Sequence, residues 1–192
     1  TFSRNETTIR STIHLADVVH ETTRLIKVTL PPSIDLVVRI EDHVPPVMAD
    51  ATQIEQALLN LCTNAMHAIG SSKGTISVKL GSTYTLPLRK ERRGKSRGHH
   101  VTLSVQDTGV GIDPETMERI FEPFFTTKPV GQGTGLGLAV VHGIMRTHQG
   151  SVGVQSKPGQ GSVFTLYFPP AKSPAVTHQK EIGPPNTVEG KG

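Results

Sequence analysis

Two segments in the middle of the chain alternate apolar and polar residues, and this alternation limits the possible folds more than any other feature. They read TISVKL (residues 75–80) and HVTLSVQD (residues 100–107). Because successive side chains of a strand point to opposite faces, each segment has one apolar face. The pattern predicts strands of a half-buried antiparallel sheet that other elements cover on one side.

The segments around these strands supply that cover. Apolar residues recur at helical spacing over residues 15–26, and Pro31 and Pro32 follow. A second helix is expected from Asp50, as part of an Asp-x-x-Gln capping box, to Ile69, with Gly70 closing it. Shorter helices are predicted at DPETMERIF and over residues 136–148. DLVVRI and a terminal hairpin with a turn at KPGQG complete the strands. This order predicts an α+β fold, a two-layer α/β sandwich with a mixed, mainly antiparallel sheet covered on one face by helices.

The length of 192 residues suits one well-buried core, and a hydrophobic content of 35% with 14 Pro and 19 Gly predicts substantial loops and tails. We expect residues 1–13 to be the end of a preceding helix. Residues 14–170 are expected to form the domain, and residues 171–192, which are rich in proline, a flexible tail or linker.

Cysteine content and hydropathy bear on location. The single cysteine, Cys62, cannot form an internal disulfide, which favours a cytoplasmic setting. No apolar stretch reaches 18 residues, so the segment is expected to be soluble even if a longer protein attaches it to a membrane.

The net charge of +4 comes from one segment, PLRKERRGKSRGHH (residues 87–100), which holds six Lys or Arg and one Glu, a local charge of +5. The rest of the chain therefore carries about −1. The segment is interpreted as a solvated loop, or alternatively as a contact to an acidic partner surface or phosphate. Because no aromatic residues are interleaved with the charges, we expect no nucleic-acid partner.

The helix at residues 50–69 carries Asn60 and Asn64 on one face, beside its apolar stripe. A neutral side-chain carbonyl suits Mg²⁺ that already carries phosphates, because it adds an oxygen ligand without adding charge repulsion. His67 lies one turn further and is within reach of a phosphate. Taken alone, these residues are more typical of an ordinary polar helix face and a surface histidine.

The segment QDTGVGID follows a strand with a carboxylate and two glycines. Asp107 is an acceptor that suits the amino group of adenine, and Gly109 and Gly111 allow the backbone to approach a flat ligand closely. The alternative is a plain Asp-Thr-Gly turn.

The run FEPFFTTKPVGQGTGLGLAVVHGIM (residues 121–145) combines phenylalanines, a lysine and alternating glycines. It is neither a Walker loop nor a dinucleotide fingerprint, since no Gly-Lys-Ser/Thr follows and Leu138 stands where a third glycine is needed. The glycines lead into a helix N-terminus, which attracts anions. Lys128 offers three donors to a terminal phosphate.

Four of these motifs, taken in order, resemble a known set. NLCTNA, DTGVGI, FEPFFTTK and GTGLGL are similar to the N, G1, F and G2 boxes of sensor histidine kinases. The span from about Leu15 to Pro170 resembles their catalytic and ATP-binding domain, which belongs to a superfamily with gyrase, heat-shock chaperone ATPases and mismatch-repair ATPases. The resemblance implies a Bergerat-type α/β sandwich, in agreement with the pattern above.

The resemblance also implies roles for individual residues. Asp107 would receive the adenine amino group, Asn64 would hold Mg²⁺, and Lys128 and His67 would contact phosphates. Phe121, Phe124 and Phe125 would anchor a lid at about residues 126–133. The nucleotide-binding residues implied in this way are Asn60, Asn64, His67, Asp107, Gly109, Gly111, Ile112, Phe125, Thr126, Thr127, Lys128, Gly133, Thr134, Gly135, Leu136, Gly137 and Leu138.

Position 60 bears on the reaction. The hydrolysing relatives have a glutamate there that activates water, and Asn60 has no titratable carboxylate to do so. The resemblance therefore implies a histidine kinase that uses ATP and Mg²⁺, hydrolyses ATP weakly and holds the γ-phosphate for a histidine. The alternative is a nucleotide-binding switch of the same fold without productive transfer.

The phosphate acceptor is expected to lie outside this chain. The family's acceptor motif resembles His-Glu-x-x-x-Pro, and after His20 and Glu21 the proline position holds Leu25. The partners implied by the resemblance are a dimerisation hairpin with the acceptor histidine and the receiver domain of a response regulator. The full-length protein is expected to be a homodimer.

Overall fold

The computed structural model describes residues 10–84, 99–128 and 133–171. In chain order the elements are β1 (Ser11–Ile13), α1 (Leu15–Thr29), β2 (Ile34–Ile40), β3 (Val47–Ala49), α2 (Ala51–Ile69), β4 (Gly74–Thr83), β5 (His100–Asp107), α3 (Pro114–Arg119), α4 (Gly137–Thr147), β6 (Ser151–Ser156) and β7 (Ser162–Phe168). No helix in these ranges is both long enough and apolar enough to cross a bilayer.

A five-stranded sheet forms one layer, in the order β2-β4-β5-β7-β6. The β2–β4 pair is parallel and the other three pairs are antiparallel. Val78 lies opposite Val105, which in turn lies opposite Phe164, so the apolar faces of the strands coincide. The sheet is mixed and mainly antiparallel, as the alternation predicted.

Three helices form the other layer, and α2 is its centre because it packs against both α1 and α4 as well as against the sheet. Its predicted apolar stripe is buried throughout: Ile54, Ala57, Leu58, Leu61, Cys62, Ala65 and Ile69. The Asp50 side chain caps the helix by accepting hydrogen bonds from the N–H groups of Thr52 and Gln53, at 3.0 and 3.3 Å. The capped start and one-sided burial fix which face of α2 stays outside the core.

One boundary prediction is wrong. Ser11–Ile13 form β1, which pairs antiparallel with β3, where a helix end was expected. Ser11 and Thr12 are exposed and Ile13 is half-buried, so this short strand has no alternation that could be read in the sequence. The folded unit therefore starts before residue 14. The expected helix over residues 1–9, most of the basic loop and the tail after residue 171 lie outside the described residues.

The β6–β7 turn holds the loop that follows β5. The Gly159 N–H donates to the Val110 carbonyl at 2.7 Å, and the Ile112 N–H donates to the Ser156 hydroxyl at 2.8 Å. Gly161, at φ +80°, lies so close to the Asp107 carbonyl that a Cβ would strike it. The turn thus fixes the backbone next to the carboxylate of Asp107.

We expect Gly161→Ala to destabilise the fold by about 3 kcal/mol, because a left-handed conformation and a clash with the Asp107 backbone add together. Gly159→Ala is the matched control: its φ is +75°, and no atom lies within 4 Å of its Cβ position. It should cost only about 1 kcal/mol. Urea unfolding of both variants measures the difference, and equal losses would refute the close approach.

Candidate nucleotide-binding site

A pocket of about 1090 Å³ opens between α2, the loop after β5, residues 125–128 and the start of α4. Its wall includes every nucleotide-binding residue implied by the resemblance except Gly109 and Leu136. Segments more than 70 residues apart in the sequence are therefore brought together around one cavity, with Asp107 and Lys128 both on its wall.

Asp107 is the buried carboxylate of this pocket, with 3% of its surface exposed. It occupies a core-facing position at the end of β5, in register with Val105 and Leu103. Its Oδ1 accepts the Gly109 N–H at 2.8 Å. Burial raises the pKa of Asp107, and hydrogen bonds from the backbone N–H groups of Gly109 and Ser162 act in the opposite direction.

The two glycines after Asp107 have different roles. Gly111, at φ +72°, lines the pocket, and a Cβ there would strike the Lys157 carbonyl of the β6–β7 turn. Gly109 is buried against the end of α2, where a Cβ would lie 2.5 Å from the carbonyl carbon of Ala68. Gly109 does not line the cavity; it permits close packing against α2 and holds the Asp107 side chain.

Asn60 and Asn64 face the start of α4. A Cβ built on Gly137 would lie 3.7 Å from Nδ2 of Asn64 and 3.9 Å from Oδ1 of Asn60. The start of α4 therefore lies beside both carboxamides, with space at Gly137 that a methyl group would fill at ordinary van der Waals distance. No side chain of the described residues caps α4, so its first-turn N–H groups are available beside the pocket.

His67 and Lys128 meet across the opening of the pocket. Lys128 Nζ donates to Nδ1 of His67 at 2.8 Å. Burial and then the Lys128 charge lower the pKa of His67, and burial lowers the pKa of Lys128. Two nitrogen groups whose charged forms a nearby anion would favour thus lie together on the pocket wall.

The two ends of the predicted lid are joined at its base. The Phe124 N–H donates to the Gly135 carbonyl at 3.0 Å. Phe125 lines the pocket under the Arg119 guanidinium, 4.3 Å from the ring centroid, and Phe121 packs against the core. Phe124 is not an anchor, because 75% of its surface is exposed and its backbone makes the contact. Residues 129–132, the centre of the lid, lie outside the described residues.

Some lining residues were not foreseen. Ser162 and Phe164 come from β7, where core-facing positions alternate and a buried serine among apolar neighbours was the available signal. Leu136, which was foreseen, precedes α4 and does not line the cavity; its N–H donates to the Thr134 hydroxyl at 3.3 Å. The full unforeseen set is Thr63, Ala65, Ala68, Val110, Thr116, Ile120, Ser162 and Phe164.

The donor set of the pocket decides what kind of metal it would accept. Within residues 10–84, 99–128 and 133–171 no three His, Cys, Asp or Glu side chains cluster so as to hold a metal ion. A cation here would need most of its ligands from a bound anion. Asn64 offers one neutral oxygen, which fits Mg²⁺ carried by phosphates.

Comparison with known proteins identifies the family. Residues 49–172 match the family described as Histidine kinase-, DNA gyrase B-, and HSP90-like ATPase. The chain belongs to this family. The match covers the pocket-lining residues and leaves β1 and α1 outside it.

Two relatives are sensor kinases. The chain is 36% identical over 169 residues to the sensor kinase CckA of Brucella abortus, which covers 88% of this chain and 18% of CckA. It is 43% identical over 128 residues to the sensor histidine kinase ZraS of Escherichia coli K12, which covers 67% of this chain and 24% of ZraS. This ATPase domain therefore spans about a fifth to a quarter of the relatives it matches.

Solved structures agree. The catalytic domain of histidine kinase ThkA superposes with a TM-score of 0.68 at 31% identity, covering 84% of this chain and 96% of that domain. A structure of ThkA in complex with the response regulator protein TrrA gives 0.64 at 28% identity, covering 84% of this chain and 42% of ThkA. The chain is an ATP-binding catalytic domain of the histidine kinase type, and its predicted α/β sandwich is confirmed.

The contact between Lys128 and His67 yields a prediction. Lys128→Met keeps much of the side-chain volume and removes the charge, so the pKa of His67 should rise. It should stay below its ordinary value, because burial is the larger cause of the shift. Titration by NMR measures this. Lys79→Met, on a lysine paired with Glu41 at 2.9 Å on the outer face of the sheet, is the control. An unchanged pKa in Lys128→Met would contradict the contact.

Proposed function

We propose that this domain binds Mg-ATP and transfers the γ-phosphate to a histidine in a dimerisation hairpin outside this chain. One observation carries the proposal: a single pocket is lined by a buried carboxylate, two neutral amides and the paired nitrogens of His67 and Lys128. An adenine and a triphosphate have the complementary chemistry.

At the adenine end, the Asp107 carboxylate would accept the amino group of the base. Its Oδ1 is already held by the Gly109 N–H, so the side chain is oriented before a ligand arrives. The pocket wall around it includes Ile112, Ile120 and Phe164, which suit the faces of a flat aromatic ring. Gly111 lines the same pocket, so its backbone would lie beside that ring.

At the phosphate end, three sets of donors converge. Lys128 and His67 supply nitrogen donors near the opening, and the first turn of α4 supplies backbone N–H groups beside Gly137. Asn64, with Asn60 beside it, would hold Mg²⁺ against the phosphates. The bound ion would offset charge on the transferring group.

The residues at this end favour transfer over hydrolysis. Among the described residues that line the pocket, Asp107 is the one carboxylate, and it lies at the adenine end. Asn60 occupies the α2 position next to Asn64 without a basic group. No carboxylate of the described lining can therefore deprotonate water near the γ-phosphate. A nucleophile brought by the hairpin would attack instead, with the bond from the γ-phosphorus to the bridging oxygen breaking as the N–P bond forms and ADP leaving.

The relatives support a proposal about the partners, the oligomeric state and the location of the full-length protein. The structure of ThkA with TrrA pairs a histidine kinase with a response regulator. For this domain we propose a response regulator receiver as the next phosphate acceptor, a homodimeric full-length protein joined by the hairpin, and a cytoplasmic location that holds even where the full-length protein is anchored to a membrane.

Phosphotransfer is tested by mixing the chain, the dimerisation hairpin of the same full-length protein and ATP labelled at the γ-position. The expected result is label on the hairpin, lost when its acceptor histidine is replaced by alanine. The chain alone should release phosphate at close to the uncatalysed rate. ATP binding without any label on the hairpin would contradict kinase activity and identify a nucleotide-binding switch.

The site assignment is tested by nucleotide titration. Asp107→Ala should weaken ATP binding about 10- to 100-fold, the equivalent of one lost charged hydrogen bond. Asn64→Ala should weaken binding about 10-fold or more with Mg²⁺ and much less without it. Gln56→Ala, an exposed position on the same helix that does not line the pocket, is the matched control. Unchanged affinity in both site variants would refute the assignment.

A further inference from the structure

A buried histidine links the two helices that would hold the phosphates. His148 follows α4 directly and has 2% of its surface exposed. Its Nε2 accepts the backbone N–H of Asp50, the N-cap of α2, at 3.0 Å. Its Nδ1 lies 2.8 Å from the Ile144 carbonyl, one turn back along α4. The side chain does not line the pocket, and the proposed chemistry does not use it.

These partners determine the state of the ring. A carbonyl oxygen only accepts, so Nδ1 carries the proton that bonds Ile144. A backbone amide only donates, so Nε2 must be unprotonated to accept from Asp50. His148 is therefore the neutral Nδ1–H tautomer. Both ring nitrogens are occupied by fixed backbone groups, one on each helix.

The same pair of helices meets again at the pocket. Gly137, the first residue of α4, lies against Asn60 and Asn64 of α2. The helices run antiparallel, with the end of α4 at the start of α2 and the start of α4 at the asparagines. The 11 residues of α4 span about 16 Å at 1.5 Å per residue. His148 thus fixes the C-terminal end of α4, and the N-terminal end of the same helix lies at the proposed phosphate site.

Apolar packing alone does not fix how two helices slide along each other. The two helices contact each other, and both carry buried apolar side chains, among them Leu58 of α2 and Val141 and Met145 of α4, whose contacts are non-directional. Packed helices can shift past one another by one turn, about 5.4 Å. A hydrogen bond from a ring nitrogen to one backbone amide selects a single register, because any other register leaves buried polar groups unpaired.

We propose that His148 is a positioning residue for nucleotide binding: by bonding the Asp50 N–H it sets the register of α4 against α2, and so the spacing between Asn64 and the N–H groups at the start of α4. This inference rests on the proposed function, since that spacing matters only if the two groups bind the same Mg-triphosphate. The adenine end is built from β5 and β7 and does not depend on this register.

The test compares two ligands and two conservative variants of the full chain. In His148→Asn the carboxamide can still donate to the Ile144 carbonyl, but the side chain is too short to accept the Asp50 N–H. In His148→Gln the amide oxygen takes the place of Nε2 and can accept the Asp50 N–H. Affinity is measured for Mg-ATP and for adenosine, which has no phosphates. His148→Asn should lose about 10-fold or more for Mg-ATP, in the range of lost supporting contacts. Adenosine affinity should change less than about twofold, and His148→Gln should retain both.

Controls separate positioning from stability. Met145→Ala removes a fully buried side chain from the same face of α4 and keeps the His148 bond. It should lower the thermal midpoint and leave the ratio of the two affinities unchanged. Hydrogen exchange at the Asp50 amide should be slow in the wild-type chain and in His148→Gln, and fast in His148→Asn. Should His148→Asn fail to fold, His148→Phe, which keeps the ring volume, carries the same expectation.

The outcomes are distinct. Equal losses for both ligands in His148→Asn, or no loss in either, overturn the positioning role while leaving the proposed function intact. The same holds if His148→Gln behaves like His148→Asn. If the wild-type chain binds no nucleotide, both the proposed function and the positioning role of His148 are overturned. Slow exchange of the Asp50 amide would then show only that the hydrogen bond exists.

Discussion

The one-sided burial of α2 is the constraint on which the rest of the structure depends. Seven apolar side chains attach one face of this helix to the sheet and its neighbours, which places Asn60 and Asn64 at the edge of the core. If α2 were rotated one way their carboxamides would be buried unpaired in the core, and if it were rotated the other way they would face solvent. Because α2 also packs against α4 and against the loop after β5, its placement determines where both halves of the pocket lie.

Burial acts on charge at two places on the pocket wall. It raises the pKa of Asp107, while hydrogen bonds from two backbone N–H groups act in the opposite direction, and the bond from Gly109 orients the side chain as an acceptor. Burial also lowers the pKa of both His67 and Lys128, whose nitrogens lie 2.8 Å apart. A polyphosphate bound beside both nitrogens would favour the charged forms of His67 and Lys128. The pocket wall thus combines an acceptor, suited to the amino group of adenine, with donors suited to phosphates.

Much of the fold and site was readable because the signals are local. Strand alternation around Val105, the stripe on α2 and the Asp50 cap each depend on residues close in sequence. What could not be read depends on tertiary contact. The pairing of β1 with β3 joins segments about 36 residues apart, and the Asp50 N–H finds His148 98 residues later. Gly109 and Phe124 illustrate the same limit. Their motifs predict a site, but only the packing shows that Gly111 and Phe125 line the pocket and that Gly109 and Phe124 do not.

The central claim is that Asp107, Asn64 and the start of α4 hold one nucleotide between them. The most direct test is a crystal structure of the chain with Mg²⁺ and a non-hydrolysable ATP analogue. The account predicts the adenine amino group on the Asp107 carboxylate, Mg²⁺ on the Asn64 oxygen and phosphate oxygens on the N–H groups at Gly137 and Leu138. An analogue bound in the opposite direction, or outside this pocket, would contradict it.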